Sequence, residues 1–95
     1  MSNVEELFGK KVIGQKGYNV GDVKGLTADF SQWRITHLQV KLDDNAAKEL
    51  GFKKRFTSSI VCLPVSLVHA IGDVITINQS LTDLSNNPEI FEYKS

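Results

Sequence analysis

Apolar and polar positions alternate over short stretches of this chain, and glycine or asparagine stands at most of the breaks. Period-two alternation marks strands, whose successive side chains point to opposite faces. Lys10 to Ile13 precedes a Gly14-Gln-Lys-Gly17-Tyr-Asn turn, and Val20 to Phe30 follows with Leu26, Ala28 and Phe30 on one parity, which predicts a hairpin. Val23 breaks the parity of Val20, and Gly21 and Gly25 flank the break as glycines flank bulges. Trp33 to Leu42 switches in the same way. Trp33 and Ile35 are odd while Leu38, Val40 and Leu42 are even, so one extra residue near Thr36 or His37 reconciles them.

Asp43-Asp44-Asn45 offers capping side chains for a short helix over Ala46 to Leu50, with Gly51 placed to end it. A fourth strand runs from about Phe56 to Leu63 and stops at Pro64, which cannot donate to a ladder. Val65, Val68 and Ile71 recur every third residue, as in a tight turn or single 3₁₀ turn, and Gly72-Asp73 launches a last strand, Val74 to Ile77. At the start, Ser2 or Asn3 with Glu5 or Glu6 three residues on reads as a capping box for a brief turn through Leu7 and Phe8. The expected architecture is all-β: a small barrel of five or six antiparallel strands with one short connecting helix. It closes because a flat sheet without covering helices leaves one face wet.

At 95 residues and 41% hydrophobic the chain is one globular domain, assigned to residues 1–79, with residues 80–95 as a polar, acidic tail. Eleven basic and eleven acidic residues cancel, which disfavours nucleic acid as a partner. Through Arg55 there are ten basic and seven acidic residues, and beyond it one and four. Cys62 stands alone and suits a reduced compartment. The first residues lack the features of a leader, and no stretch is apolar for the length a membrane span needs, so the expected location is cytoplasmic.

Candidate chemistry is sparse. Cys62 with His37 or His69 would make a thiolate pair, yet a lone cysteine is more often a small buried hydrophobe. Neither histidine has ligand spacing to another, Asp43-Asp44-Asn45 lacks the further acidic positions of a calcium loop, and no glycine loop cradles a phosphate ahead of a helix. Gly14-Gln-Lys-Gly17 spells the GxxG of an RNA clamp, but strands flank it. No catalytic residue, metal or cofactor is expected. Lys53-Lys54-Arg55 between Phe52 and Phe56 is the one run mixing basic and aromatic residues, and it carries the alternative of an RNA- or ribosome-associated module. Interface candidates are Phe30 and Trp33, which also read as core, and the tail residues Leu81, Leu84, Ile90, Phe91 and Tyr93. The tail can add a strand to its own barrel or to a neighbour's. A domain this small gains burial by association, so a homodimer or a heterodimer with a close paralogue is expected.

Five fragments in order, Leu7-Phe8-Gly9-Lys10-Lys11-Val12, Gly17-Tyr-Asn-Val20-Gly21-Asp22-Val23, Ile35-Thr-His-Leu38-Gln-Val40, Leu63-Pro64-Val65 and Ile71-Gly72-Asp73-Val74-Ile75, resemble the PRC-barrel family over roughly Leu7 to Ile77. The resemblance implies a barrel that serves as an accessory or docking module and is similar in length to stand-alone archaeal versions. It further implies an adaptor in archaeal cell division, docked at the inner face of the membrane on the membrane-anchored machinery of the division ring. The resemblance does not extend to the additional N-terminal domain of the ribosome-maturation branch, so ribosomal binding is the less expected role. Gly17, Gly21, Gly72 and Asp73 read as turn and bulge positions.

Overall fold

The structure, a computed structural model, describes residues 4–49 and 60–93. Its strands are β1 (Lys11–Ile13), β2 (Asn19–Asp29), β3 (Arg34–Leu42), β4 (Ile60–Pro64), β5 (Val68–Ile71), β6 (Ile75–Ile77) and β7 (Phe91–Glu92). Among the described residues two short helices, α1 (Asp44–Glu49) and α2 (Leu81–Ser85), join them, with 3₁₀ turns at Val4–Leu7, Gln15–Gly17 and Val65–Leu67. Ser2, Asn3, Gly51 and the expected strand start at Phe56 lie outside the described residues.

β2 and β3 form the long central hairpin; on its other side β2 meets β1 with Val12 opposite Gly21 and Ile13 opposite Asn19, so Val20 is an extra residue there and accounts for the Val20/Val23 switch. Against β3, Val23 pairs with Val40 and Gly25 with Gln39, so Lys24 is the extra residue on β2. Thr27 pairs with His37 and Ala28 with Ile35, so Thr36 is the extra residue on β3. Each bulge turns the apolar set back toward one side. Val20, Val23, Leu38, Val40 and Leu42 thereby share the core with Val12, Val61, Leu63, Ile75 and Ile77. Gly21 sits where a Cβ would strike the Lys41 carbonyl oxygen, and the close approach of β2 to β3 there requires glycine. Asp43 opens α1: its carboxylate accepts from the Asn45 N–H (3.2 Å) and its carbonyl from the Ala47 N–H (2.8 Å).

Among the described residues the strand order is β5-β6-β1-β2-β3-β4-β7, a single sheet of seven strands. β1 pairs antiparallel with β2 and parallel with β6, Val12 opposite Ile75. The sheet is strongly curled. The turn Val65–Leu67 carries the chain from β4 to β5, a reach of at most about 15 Å. In a flat sheet these strands, five steps apart in the order, would lie about 24 Å from each other. The hydrogen-bonded ladder nevertheless stays open between β5 and β7.

Expectation and structure therefore differ in strand number, direction and closure. The purely antiparallel barrel is corrected by the parallel β1–β6 pair, and the closed one by β7, which takes the outer edge of β4 that closure would use. The expected turn from Val65 to Ile71 is half strand. The threefold spacing arises because a 3₁₀ turn, whose buried residue is Leu67, runs into β5, where His69 is bulged against β6. The single connecting helix becomes two among the described residues, since Ser80 caps α2 in a reciprocal box with Asp83.

Candidate protein-binding surface

Asp29 and Arg34 are the last pair of the β2–β3 hairpin, and Phe30 to Trp33 form its tip. One Asp29 carboxylate oxygen accepts from the Ser31 hydroxyl (2.6 Å) and the Ser31 N–H (2.9 Å). The Gln32 N–H donates to the Asp29 carbonyl at 3.3 Å. The Ser31 hydrogen bonds favour the ionised form and hold the Asp29 carboxyl below its usual range, with a smaller contribution from the Arg34 charge. The tip is thus fixed by local hydrogen bonds, and it leaves its two large rings outside. Phe30 is 73% and Trp33 83% exposed, and the rings meet edge to face at 6.1 Å.

Trp33 has φ of 55°, in the left-handed region. A bulky residue there costs about 1–2 kcal/mol relative to ordinary backbone conformations, and a glycine would remove that cost. Strain of this kind is concentrated at sites where the displayed side chain is needed. Rigid aromatic rings with most of their area in solvent are also the groups that carry most binding energy once a partner covers them.

Beyond the base of the hairpin lies an open groove of about 790 Å³. Ile35 and His37 of β3, Pro64, Val65, Pro88 and Phe91 give it apolar walls, and Arg34 and Glu89 place opposite charges on its rim. The His37 ring meets Phe91 edge to face at 5.2 Å, and its Nδ1 is 2.8 Å from the hydroxyl of the bulged Thr36. Tip and groove are consecutive along β3, from Trp33 through Arg34 and Ile35 to His37.

The other sequence candidates fall elsewhere. Leu84 is a correction: it is 1% exposed and belongs to the core, because the capped α2 folds back onto the sheet. Ile90 is partly buried against the same core, Phe91 is 47% exposed, and Tyr93 is half-buried with its N–H donating to the Ile60 carbonyl. The Leu81 side chain and all of Lys53, Lys54 and Arg55 lie outside the described residues. Gly17 has φ of 79° at the end of its 3₁₀ turn. Gly72 and Asp73 form the β5–β6 turn, where the Gly72 N–H donates to the Val74 carbonyl (2.9 Å) and the Lys10 ammonium to the Gly72 carbonyl.

Cys62 is buried, as a small hydrophobe is expected to be, outside the main core cluster and on the face of β4 opposite Val61 and Leu63. Burial pushes its thiol pKa up, and a hydrogen bond with Thr27 partly offsets this. His69 is exposed on β5. Among the described residues, no three His, Cys, Asp or Glu side chains gather as a metal site, and no helix is long and apolar enough to cross a membrane. Sequence reading missed the groove, because nothing local links Ile35, Pro64 and Pro88. Only the meeting of β3 with the end of β4 and the tail brings them together.

A sequence model of the PRC-barrel domain matches residues 1–84. No curated protein matches the chain.

Proposed function

The chain belongs to the PRC-barrel domain family, in general a family of small, non-catalytic β modules, and from that premise we propose that it is an adaptor that binds another protein through the β2–β3 tip. The observation that carries this reading is the aromatic pair itself. Phe30 and Trp33 are 73% and 83% exposed, and the backbone at Trp33 is held in the left-handed region. Covering two such rings supplies the buried anchors of a standard interface. The groove beside Arg34 continues the apolar surface, and its polar rim can fix the register of a partner.

Affinity capture from the native cell, with the wild type and the Phe30→Ser/Trp33→Ser double variant side by side, tests the reading. Neither residue is buried, so the variant should keep its fold and lose at least ten-fold of the captured partner. Equal recovery from both would refute a role for the tip.

The finer form of the proposal is that the partner is a membrane-anchored component of the archaeal division ring, and that a second copy or a paralogous barrel completes the adaptor at the inner face of the membrane. It rests on the motif resemblance of Leu7 to Ile77 and on no individual side chain. A fluorescent fusion in the native host should gather at mid-cell, and depletion should impair division. A diffuse signal with normal division would leave the general protein-binding module and remove the division role.

A further inference from the structure

The outer side of β4 would be a bare sheet edge without the last residues of the chain. β4 pairs with β3 along Ile60 to Pro64 on one side, and on the other it carries β7, with Phe91 opposite Cys62 and Glu92 opposite Val61. The Tyr93 N–H adds one bond to the Ile60 carbonyl at 2.9 Å. Pairing stops toward Pro64 for two reasons. Pro64 has no N–H to donate, and the Glu89 N–H points instead to the Asn87 side-chain oxygen at 2.9 Å. Past that stop the edge opens into the groove walled by Ile35, His37, Pro64 and Pro88. β7 also lies beyond the residues that the family model matches, 1–84. Its side-chain hold is modest: Ile90 is partly buried, and Phe91 leans on His37 while 47% exposed.

A two-residue strand is a short clamp on a long site. The geometry points to the outer edge of β4 and its adjoining groove as a docking site for an extended segment of a partner protein, with β7 as the chain's own competitor. The chemistry of the occupant follows from the competitor that fits. Glu89-Ile90-Phe91-Glu92-Tyr93 sets apolar and aromatic side chains among carboxylates. A partner strand of the same pattern repeats the main-chain pairing of β7. Because β7 runs antiparallel to β4, residues ahead of the Ile90 position point along the edge toward Pro64. Apolar residues there would meet the walls that stay in place when β7 leaves, Ile35, His37, Pro64 and Val65, and would take the positions of Pro88, Glu89 and Phe91. Apparent affinity is then set by the fraction of molecules in which β7 is open. This carries the binding surface of the proposed adaptor from the shared groove onto the β4 edge, and it rests on that reading only in taking the ligand to be a protein.

The test uses the full chain and a fluorescein-labelled peptide copying residues 89–93 behind an added Leu-Pro-Leu, read by fluorescence anisotropy. Saturable binding to the wild type should tighten at least ten-fold in Phe91→Ser, while a scrambled peptide should not bind. Hydrogen exchange of the unmodified protein is an independent reading. The Tyr93 amide should exchange at least a hundred-fold faster than the amides of β3. Equal peptide affinity in wild type and variant, or no saturable binding to either, overturns the proposal, as does protection of Tyr93 equal to that of β3. A concentration-dependent dimer that Phe91→Ser abolishes, without peptide binding, would overturn it in favour of tail exchange between two copies. Phe30→Ser/Trp33→Ser should bind the peptide as the wild type does, so failure at the β4 edge is distinguishable from failure at the hairpin tip.

Discussion

Leu84→Ala removes the branched end of a side chain that is 1% exposed, on a five-residue helix with its own capping box. Returning a buried leucine to water forfeits about 1.5–3 kcal/mol. The cavity left behind adds to this, because α2 is tied to the sheet through the neighbouring core and cannot collapse freely, and buried Leu→Ala changes together cost roughly 2–5 kcal/mol. We expect a loss of about 3 kcal/mol, which is a large share of the roughly 5–15 kcal/mol available to a domain of this size. In melting temperature it corresponds to roughly 12–24 °C. Urea unfolding followed by far-ultraviolet circular dichroism is the assay, because the single tryptophan, Trp33, is already 83% exposed and its fluorescence reports little of unfolding. The midpoint should fall with the slope unchanged. Phe91→Ala, at a residue 47% exposed in β7, should cost less than half as much. A loss below about 1 kcal/mol for Leu84→Ala would mean that the segment after Asn78 is not part of the cooperative unit, and the core assignment of α2 would fail.

Gly21→Ala places a Cβ against the Lys41 carbonyl and forces β2 away from β3, a change expected to cost about 1–3 kcal/mol in the same urea assay. Trp33→Asn puts a residue tolerant of the left-handed region at φ 55°, so stability should stay level or rise by up to about 1 kcal/mol while partner capture falls. A destabilisation larger than that would show that the Trp33 ring supports the fold. The Asp29 carboxyl is held below its usual range, so its bonds to Ser31 contribute at pH above the ordinary aspartate value and are lost as pH falls through the lowered one. The Ser31 amide shift followed by NMR should have its midpoint below the ordinary aspartate value, and a midpoint at or above it would contradict the tip geometry.

Local pattern made the central hairpin legible, down to its irregularities. A change of parity in mid-strand can be satisfied only by an extra residue, and the register puts one at Val20, against β1, for the Val20/Val23 switch and one at Thr36 for the Ile35/Leu38 switch. Pairing between distant segments left no such trace. Nothing in Val74 to Ile77 distinguishes a parallel neighbour from an antiparallel one, and a two-residue strand such as β7 is too short to show a period. Leu84 stands among the interface candidates as one of the apolar residues of a polar tail, yet the box of Ser80 and Asp83 is the signal that a helix starts there and needs a buried face. Phe30 and Trp33 stood among both the core and the interface candidates. The parity of Trp33 matched β3, and since tryptophan is not a residue that announces a left-handed turn, the backbone conformation that exposes it was invisible.

The place of β1 between β2 and β6 has a consequence for how the chain reaches this state. β1, β2 and β3 are neighbours in sequence and can pair by short loop closures as soon as they leave the ribosome. The other edge of β1 must wait for Ile75 and Thr76, near the far end of the described chain, before it finds its parallel partner. Contacts of such separation are late and slow. During synthesis the growing polypeptide would therefore display one unsatisfied strand edge for most of its length, and a chaperone or a neighbouring nascent chain that recognises β1 would have that interval in which to act.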